Sequence, residues 1–408
     1  MEHNIRSKNT AYISTDALTQ NYRAIEAILR RSRPDTPPQI ISTVKANGYG
    51  HGVDTVTGVL GDAGCTFYAV SSEKEALEVR ALEEARGRHP RILILGYTFP
   101  ENAPAMAASD IECAAVSPEH ARTLAEGVGD GTLTIHIKLD TGMHRVGFSC
   151  DTEERAEAAV QTIADISRSP RLRIGGIFTH FACCDDEMLD GLAPVPEGQL
   201  TEIQYARYRR VLAGLDALGI PVGLRHASNS AAILGYTPAW LDAVRAGIIL
   251  YGMSPDGRPW TDEPDSPAAF HPTFCPAMQL ETTVAHIQTL LPGEHVSYGA
   301  TYTAAAPRTV ATLPIGYADG WIRAYTGTMV RIGSREFPII GRICMDQCMA
   351  DITGAEEHVH VGDRVILFGG DRGESISSLA ARAGTIVYEC TCQVSARVPR
   401  VAVSGKQY

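Results

Sequence analysis

The sequence predicts an α/β fold in which an N-terminal (β/α)8 TIM-like barrel precedes a C-terminal mainly-β domain. The prediction rests on eight short apolar runs within the first 250 residues, helix-like stretches between them, and a proline-rich stretch after Tyr251. Strands and helices that alternate eight times are typical of a closed parallel barrel rather than of an open doubly wound sheet. The chain of 408 residues is also long enough for two domains with separate cores.

The eight runs are β-branched and apolar, as buried parallel strands are. Stretches with Ala, Leu, Glu and Arg at helical spacing, such as Ser72–Arg86 and Asp151–Ser167, lie between them. The predicted barrel strands are Gln39–Val44, Thr66–Val70, Arg91–Leu95, Ile111–Val116, Leu133–Leu139, Leu172–Phe178, Val222–Arg225 and Val244–Leu250.

The barrel pattern ends near residue 253. Residues 254–275 contain many prolines, which lack the backbone donor that helices and sheets need, so we expect a linker there. The barrel is therefore predicted over residues 1–253 and the β domain over 276–408. One helix, Ser375–Ala383, is expected in the β domain, together with strands at Leu280–Leu290, Thr309–Leu313, Thr328–Ile332, Glu336–Ile340, Met349–Ile352 and Arg364–Phe368.

Composition narrows the classes of function. No apolar run is long enough for a membrane span, and the polar start Met1–Lys8 is no signal peptide, so we expect a cytoplasmic protein without a membrane partner. The formal charge of −11 argues against a nucleic-acid partner and favours small molecules. The ten cysteines, together with His180 and His226, match no zinc spacing, so we expect reduced thiols and no metal.

The first predicted strand, Gln39–Val44, ends at Lys45, and a glycine-rich turn follows directly. Barrel proteins carry their chemistry on the loops that follow the strands. A lysine among apolar strands is easily deprotonated, which is the state that attacks an aldehyde to form a Schiff base. By itself, a Val-Lys-Ala triplet favours the simpler interpretation of a packed stem with its ammonium group in water.

Polar residues also follow the later strands. Arg145 follows the fifth and His180 the sixth, and a histidine at that place is equally well explained as a packed, hydrogen-bonded core group. Barrels commonly bind phosphate after strands seven and eight, where Ser230 offers a hydroxyl and Gly247 and Ile248 offer backbone amides. A helix-capping serine and a packing glycine explain these residues equally well when each is taken alone.

Several dense motifs together resemble those of the bacterial alanine racemases. They are Ser42–Gly52, His136–Gly147, His295–Tyr302, Gly316–Gly320 and Gly341–Gln347, and the similarity runs from Thr10 to Arg400 in the same order. The resemblance implies a pyridoxal 5′-phosphate enzyme that interconverts L- and D-alanine and supplies D-alanine for peptidoglycan. It also implies a homodimer with shared active sites.

The resemblance further implies the two catalytic bases. Lys45 would hold the cofactor and serve one face of the substrate, and Tyr298, from the β domain of the partner subunit, would serve the other. Arg145 would contact the cofactor's phenolic oxygen and the substrate carboxylate, braced by Lys138, which is carbamylated in many members. Arg245 would donate to the pyridine nitrogen.

The remaining roles rest on the same resemblance. Met345 would contribute to the substrate site. Further contacts to the cofactor would come from Tyr49, His180, Asn229, Ser230, Gly247, Ile248 and Tyr388. The entrance corridor would be formed by Asp185, Tyr317, Arg323 and Ile386.

Other classes of protein share parts of this pattern. A decarboxylase of the same barrel class should carry an acidic residue in place of Arg245 and a cysteine-bearing substrate motif, which this chain lacks. A non-catalytic pyridoxal-phosphate protein would be a lone barrel. Serine or broad-specificity racemases share the catalytic residues, but those that resemble this family carry a membrane domain and differ at Tyr388.

Overall fold

The structure is a computed structural model that describes residues 7–185, 199–257, 274–370 and 373–405. Within these ranges the strands form two nine-stranded sheets and one two-stranded sheet. The first large sheet is the barrel, and the second is the centre of the β domain. No helix in the described ranges combines the length and apolar composition needed to cross a bilayer.

The barrel is closed and parallel, as predicted. The eighth strand pairs with the first, with Arg245 opposite Ile41, and each of the other strands pairs in parallel with the next. A short strand, Phe148–Ser149, pairs with the end of the fifth. The eight barrel strands are Gln39–Thr43, Phe67–Val70, Arg91–Ile94, Glu112–Ala115, Leu133–Asp140, Leu172–Phe178, Leu224–His226 and Ala243–Ala246.

Side-chain caps start several of the helices that surround the barrel. Ser72 and Thr152 accept hydrogen bonds from backbone N–H groups in the first turn, and Ser117 does so in front of a proline at the first helical position. These helices bury one apolar face against the barrel. The helices are Thr15–Ser32, Val53–Asp62, Glu73–Ala85, Ala103–Ala108, Pro118–Gly127, Glu153–Ile166, Leu200–Ala217 and Ser230–Gly235.

The last two barrel strands differ from their predicted bounds. The predicted strand Val244–Leu250 is wrong beyond Ala246, because the backbone turns at Gly247 and Ile248–Tyr251 forms a 3-10 turn. The seventh strand begins only at Leu224, since Gly223 has a φ of +64°. A glycine is required there because a Cβ would lie 2.3 Å from the carbonyl oxygen of Gly175.

The sheet of the β domain includes the two ends of the chain. Thr10–Ser14 pairs in parallel with Arg400–Val403 and antiparallel with Met278–Thr283. The sheet order is His286–Leu290, Arg308–Leu313, Cys348–Asp351, Arg335–Ile340, Met329–Ile332, Arg364–Phe368, Met278–Thr283, Thr10–Ser14 and Arg400–Val403, and a separate hairpin is formed by His295–Val296 and Tyr302–Thr303.

Two further predictions for this domain are corrected. The predicted strand Leu280–Leu290 is two strands, which break after Thr283 and pair with different partners, Arg364–Phe368 and Arg308–Leu313. A second helix, Val387–Cys392, follows Ile376–Ala383. β-branched and cysteine residues lower helix propensity over Val387–Cys392, so packing against the barrel decides its conformation.

Most of the predicted linker, residues 258–273, lies outside the described residues. On either side of that gap the chain is held by Asn21, whose side chain donates to the carbonyl oxygens of Leu250 and Cys275 at 3.0 and 2.9 Å. The domain bounds of 1–253, 254–275 and 276–408 remain a prediction.

Candidate active site

A cavity of about 1040 Å³ opens at the carboxyl ends of the barrel strands. Residues that follow the first, fifth, sixth, seventh and eighth strands converge on it, together with residues of the helix Val387–Cys392. Every residue that the sequence predicted as a cofactor contact lines this cavity: Lys45, Tyr49, His180, Asn229, Ser230, Arg245, Gly247, Ile248 and Tyr388. Lys138, Arg145 and Ile386 line it as well.

Lys45 begins a left-handed turn. Ala46, Asn47, Gly48 and Tyr49 all have positive φ angles between 51° and 61°. Left-handed backbone costs an ordinary residue about 1–2 kcal/mol, so the three non-glycine residues of this turn need support from neighbouring groups. Glu75 provides part of it by accepting from the Ala46 N–H at 2.8 Å, and the Asn47 side chain accepts from the Val53 N–H at 2.8 Å.

The surroundings of Lys45 favour its neutral amine. Burial lowers the pKa of Lys45, the positive charge of Arg145 lowers it further, and Glu75 opposes the shift. A neutral amine is a nucleophile and a proton acceptor. The structure therefore shifts Lys45 toward the neutral amine that attack on an aldehyde requires.

Hydroxyl groups converge at the end of the cavity near the seventh and eighth strands. The Gly247 N–H donates to Ser230 Oγ at 3.0 Å, and a Cβ on Gly247 would lie 2.9 Å from Tyr49 Oη. The rings of Tyr49 and Tyr388 are 6.0 Å apart. Burial raises the pKa of both tyrosines, so their hydroxyls stay protonated and remain donors. This end of the cavity suits an anionic group such as a phosphate.

Arg245 is buried, and most of its donors are already used. Its Nη1 atom donates to the ring and the carbonyl oxygen of His226, at 2.8 and 3.0 Å. Its Nη2 atom has three acceptors: the carbonyl oxygens of Thr179 and Ala227 at 2.7 and 2.9 Å, and His180 Nδ1 at 3.3 Å. Within the described residues Nε makes no hydrogen bond, so it is the donor that Arg245 has left for a ligand.

Burial shifts the pKa values of Arg245 and of the titratable groups beside it. Burial lowers the pKa of Arg245 to about 10, so the guanidinium stays charged at neutral pH. Burial and the charge of Arg245 lower the pKa of His180 well below its usual range, so His180 is neutral and its Nδ1 accepts. Lys138 is also buried, and burial, Arg245 and Arg145 lower its pKa to about 7.

Tyr298 and Met345 lie elsewhere. They line a second, open cavity of about 670 Å³ on the β domain, which shares no lining residue with the cavity around Lys45. Tyr298 is 72% exposed and Met345 is 54% exposed. In one chain, therefore, the two predicted bases do not face the same cavity.

The four predicted entrance residues lie in two different parts of the structure. Ile386 lines the Lys45 cavity and is 59% exposed, and Asp185 is near enough to Tyr388 to raise its pKa further. Tyr317 and Arg323 lie in 3-10 turns of the β domain, and neither lines the Lys45 cavity. The turn of Tyr317 is instead tied to the loop of Met345, because the Ala318 N–H donates to the Met345 carbonyl oxygen at 3.0 Å.

Some residues of the site were not predicted from the sequence. Tyr97 and Cys392 line the cavity, and Tyr97 stacks on His120 with ring centroids 4.3 Å apart. Glu75 was missed although it stands three residues after the capping Ser72. That spacing signals a local helix cap, and nothing in it indicates a hydrogen bond to Ala46.

Fold and site together define a two-domain barrel protein with a lysine-centred site at the carboxyl ends of its strands. The alanine racemase N-terminal domain family matches residues 13–255, and the alanine racemase C-terminal domain family matches residues 277–402. The chain belongs to the alanine racemase family.

Relatives match over nearly the whole chain. A protein named alanine racemase from Methanococcus maripaludis is 37% identical over 396 residues, which cover 96% of this chain and 97% of that protein. One from Desulforamulus reducens is 36% identical over 397 residues, with 96% and 98% covered.

Solved structures of alanine racemases have the same fold. The structure from Clostridium difficile 630 is 34% identical, with a TM-score of 0.84 over 99% of this chain and 97% of that one. The structure from Bacillus anthracis with bound L-Ala-P is 30% identical, with a TM-score of 0.82 over 99% and 97%.

Proposed function

We propose that the protein interconverts L- and D-alanine with pyridoxal 5′-phosphate as its cofactor. The observation that carries the proposal is a Lys45 with a lowered pKa, in one cavity with an arginine donor and with a cluster of hydroxyl donors. When bound, pyridoxal phosphate supplies an aldehyde that condenses with amino groups and withdraws electrons from the α carbon, which makes the α proton acidic.

The lining residues fit the parts of this cofactor. Lys45 would hold the aldehyde carbon, and the hydroxyls of Tyr49, Ser230 and Tyr388 would donate to the phosphate. The absence of a Cβ at Gly247 keeps that end open, since a side chain there would push against the Tyr49 hydroxyl. The Nε–H of Arg245 would donate to the ring nitrogen.

Arg245 supports a racemase over a decarboxylase. Arginine is only a donor and keeps its proton at ordinary pH, so a ring nitrogen that faces it stays unprotonated. An unprotonated ring withdraws electrons less strongly, which limits side reactions that need a long-lived carbanion. The hydrogen bonds of Arg245 to His226 and Thr179 hold its guanidinium group in this position, facing the place of the ring nitrogen.

Racemisation needs a base on each face of the α carbon. Lys45 would serve one face and Tyr298 of a second subunit the other. The separate position of Tyr298, exposed beside Met345, supports a homodimer in which each subunit completes the cavity of its partner. Exposed apolar side chains at such a surface favour an interface. Tyrosine has an unperturbed pKa of about 10, so an ordinary tyrosine is protonated at neutral pH and is a weak base. The positive charges of the partner's cavity would stabilise the phenolate that Tyr298 needs to act as a base.

Circular dichroism tests this function. Purified protein loaded with pyridoxal phosphate should remove the ellipticity of L-alanine and of D-alanine until both reach zero. L-serine, incubated separately, should change far more slowly, and comparable rates would favour the serine or broad-specificity racemase. Carbon dioxide release without racemisation would instead identify a decarboxylase and overturn the proposal.

A further inference from the structure

A row of buried hydrogen bonds crosses the interior of the barrel from Arg245 to Glu112. Arg245 Nη1 lies 2.8 Å from His226 Nδ1, and His226 Nε2 lies 2.9 Å from His136 Nδ1. His136 Nε2 lies 2.6 Å from Glu112 Oε2. The four residues come from the eighth, seventh, fifth and fourth strands, and all are buried.

Arg245 determines the direction of every bond in this row. Because a guanidinium only donates, His226 Nδ1 must accept, and the proton of the neutral His226 ring then lies on Nε2. His136 Nδ1 must accept that proton, so His136 carries its own proton on Nε2 and donates it to Glu112. Burial lowers the pKa of both histidines, which keeps both rings neutral, as this order requires.

Glu112 determines the same direction from the other end. Burial alone would raise the pKa of Glu112, but hydrogen bonds from His136 and Arg91 lower it to about 2, so the group is a carboxylate and only accepts. Arg91 binds both of its oxygens, at 2.6 and 2.8 Å. If the row were reversed, Glu112 would face a lone pair of His136, and His226 would present an N–H to Arg245.

The surrounding fold makes room for the row and keeps it dry. A Cβ at Gly176 would lie 2.4 Å from His136 Nδ1, so the sixth strand carries a glycine where the His136 ring passes. Phe178 stacks on His226 with ring planes 7° apart. Water cannot replace a lost partner easily in such surroundings, so each hydrogen bond depends on the next.

We infer that Glu112 and His136 are positioning residues for Arg245. They hold His226 as an acceptor, which fixes the guanidinium through Nη1 and leaves Nε–H, which has no partner among the described residues, available to a ligand in the cavity that Arg245 lines. The inference rests on the proposed function, in which that N–H meets the ring nitrogen of pyridoxal phosphate. Neither residue lines the cavity, so each acts only through His226 and Arg245.

The test compares the binding of two cofactors to the apoprotein. Pyridoxal phosphate offers a ring nitrogen as an acceptor, whereas 1-deazapyridoxal phosphate has a C–H group there. The wild-type protein should bind pyridoxal phosphate at least about tenfold more tightly, because the deaza compound leaves the charged donor unpaired. Glu112→Leu should reduce this ratio at least about threefold. Glu112→Gln should retain most of it, since the amide oxygen still accepts from His136.

Two controls isolate the row. Glu83 lies on the helix Glu73–Ala85, away from the row. It is a buried carboxylate that pairs with Arg86 and Arg88. Glu83→Leu should lower the melting temperature and leave the binding ratio unchanged. Arg91→Gln leaves Glu112 its hydrogen bond from His136 but removes a donor that holds it as a carboxylate, so it should reduce the ratio less than Glu112→Leu does.

The outcomes separate the two claims. A wild-type ratio near one would overturn both the inference and the placement of Arg245 at the ring nitrogen. A high wild-type ratio that Glu112→Leu leaves unchanged would overturn the inference alone. If Glu112→Leu does not fold, a measurement on the wild-type protein tests the inference instead. Solid-state ¹⁵N spectra of histidine-labelled apoprotein should show that His136 and His226 are protonated on Nε2 only. Protonation of either ring on Nδ1 would overturn the inference.

Discussion

The Glu75 carboxylate accepts a hydrogen bond from the backbone N–H of Ala46, the residue directly after Lys45, at 2.8 Å. Its other oxygen accepts from the Ser71 N–H at 2.7 Å, so one side chain ties together the ends of the first two barrel strands. Because Ala46 has a φ of 52°, its conformation needs such support. The position of Lys45 therefore depends on a residue that does not line the cavity.

Removal of Glu75 should loosen this turn. Glu75→Ala is expected to lower the free energy of unfolding by about 2 kcal/mol and to weaken pyridoxal phosphate binding about tenfold, because two hydrogen bonds to a charged group are lost. Thermal unfolding and cofactor titration measure these effects. Glu78→Ala, an exposed change on the same helix, is the control. Ala46→Gly should partly rescue Glu75→Ala, because glycine adopts positive φ without cost. Wild-type stability and affinity in Glu75→Ala would contradict this role.

Lys45 should carry the cofactor covalently. Its lowered pKa favours the attacking amine, so borohydride treatment of the loaded, yellow protein should attach the cofactor to the peptide that contains Lys45. Peptide mapping by mass spectrometry checks the site. Lys45→Ala should bind no cofactor covalently and lose racemisation by several orders of magnitude, whereas the exposed Lys74→Ala should retain both. A label on any other lysine would refute the assignment.

Mixed subunits should regain activity if the site is shared. Lys45→Ala and Tyr298→Phe homodimers should each be nearly inactive, since every site lacks one base. A purified heterodimer has one site with both changes and one with neither, so it should show about half the wild-type activity. The rate of alanine racemisation measures it. An inactive heterodimer, with its formation shown separately, would mean that both residues act from one chain.

Isotope exchange should separate the two bases. In deuterated water, Tyr298→Phe should lose racemisation but still exchange the α proton of D-alanine, because Lys45 serves that face in the proposed two-base arrangement. Exchange of L-alanine should be far slower, and proton NMR of each enantiomer follows both reactions. Equal exchange of the two enantiomers would rule out the two-base arrangement.

Lys138 should make stability depend on pH. Its pKa is about 7 in the folded protein and about 10.4 when exposed, so between these values the unfolded chain binds more protons. Its contribution to stability therefore rises with pH across this window, by up to about 1.4 kcal/mol per pH unit. Lys138→Met should raise the melting temperature more at pH 6.5 than at about pH 9 in carbon dioxide-free buffer. The same gain at both pH values would show that Lys138 keeps an ordinary pKa.

Local patterns were sufficient to predict the barrel. Runs of β-branched residues and helical spacing are properties of neighbouring residues, and they located all eight strands with errors mainly at the ends. The larger errors occur where a local sequence pattern continues although the chain changes the strand with which it pairs. Leu280–Leu290 reads as one strand with period-two and β-branched residues, yet its two halves pair with different strands. A run of residues contains no signal for that change.

The family and the predicted cofactor contacts could be read from the sequence alone, because each strand-end motif carries its reactive side chain within a few residues of its turn. Which distant groups meet depends on the tertiary structure. Closure of the barrel brings Glu112, His136, His226 and Arg245 into one row, and the packing of a helix brings Glu75 to Ala46. It also separates Tyr298 from Lys45 within one chain. Hydrogen bonds act over about 3 Å, whereas sequence patterns record only neighbours along the chain, so these contacts exist only once the strands are paired.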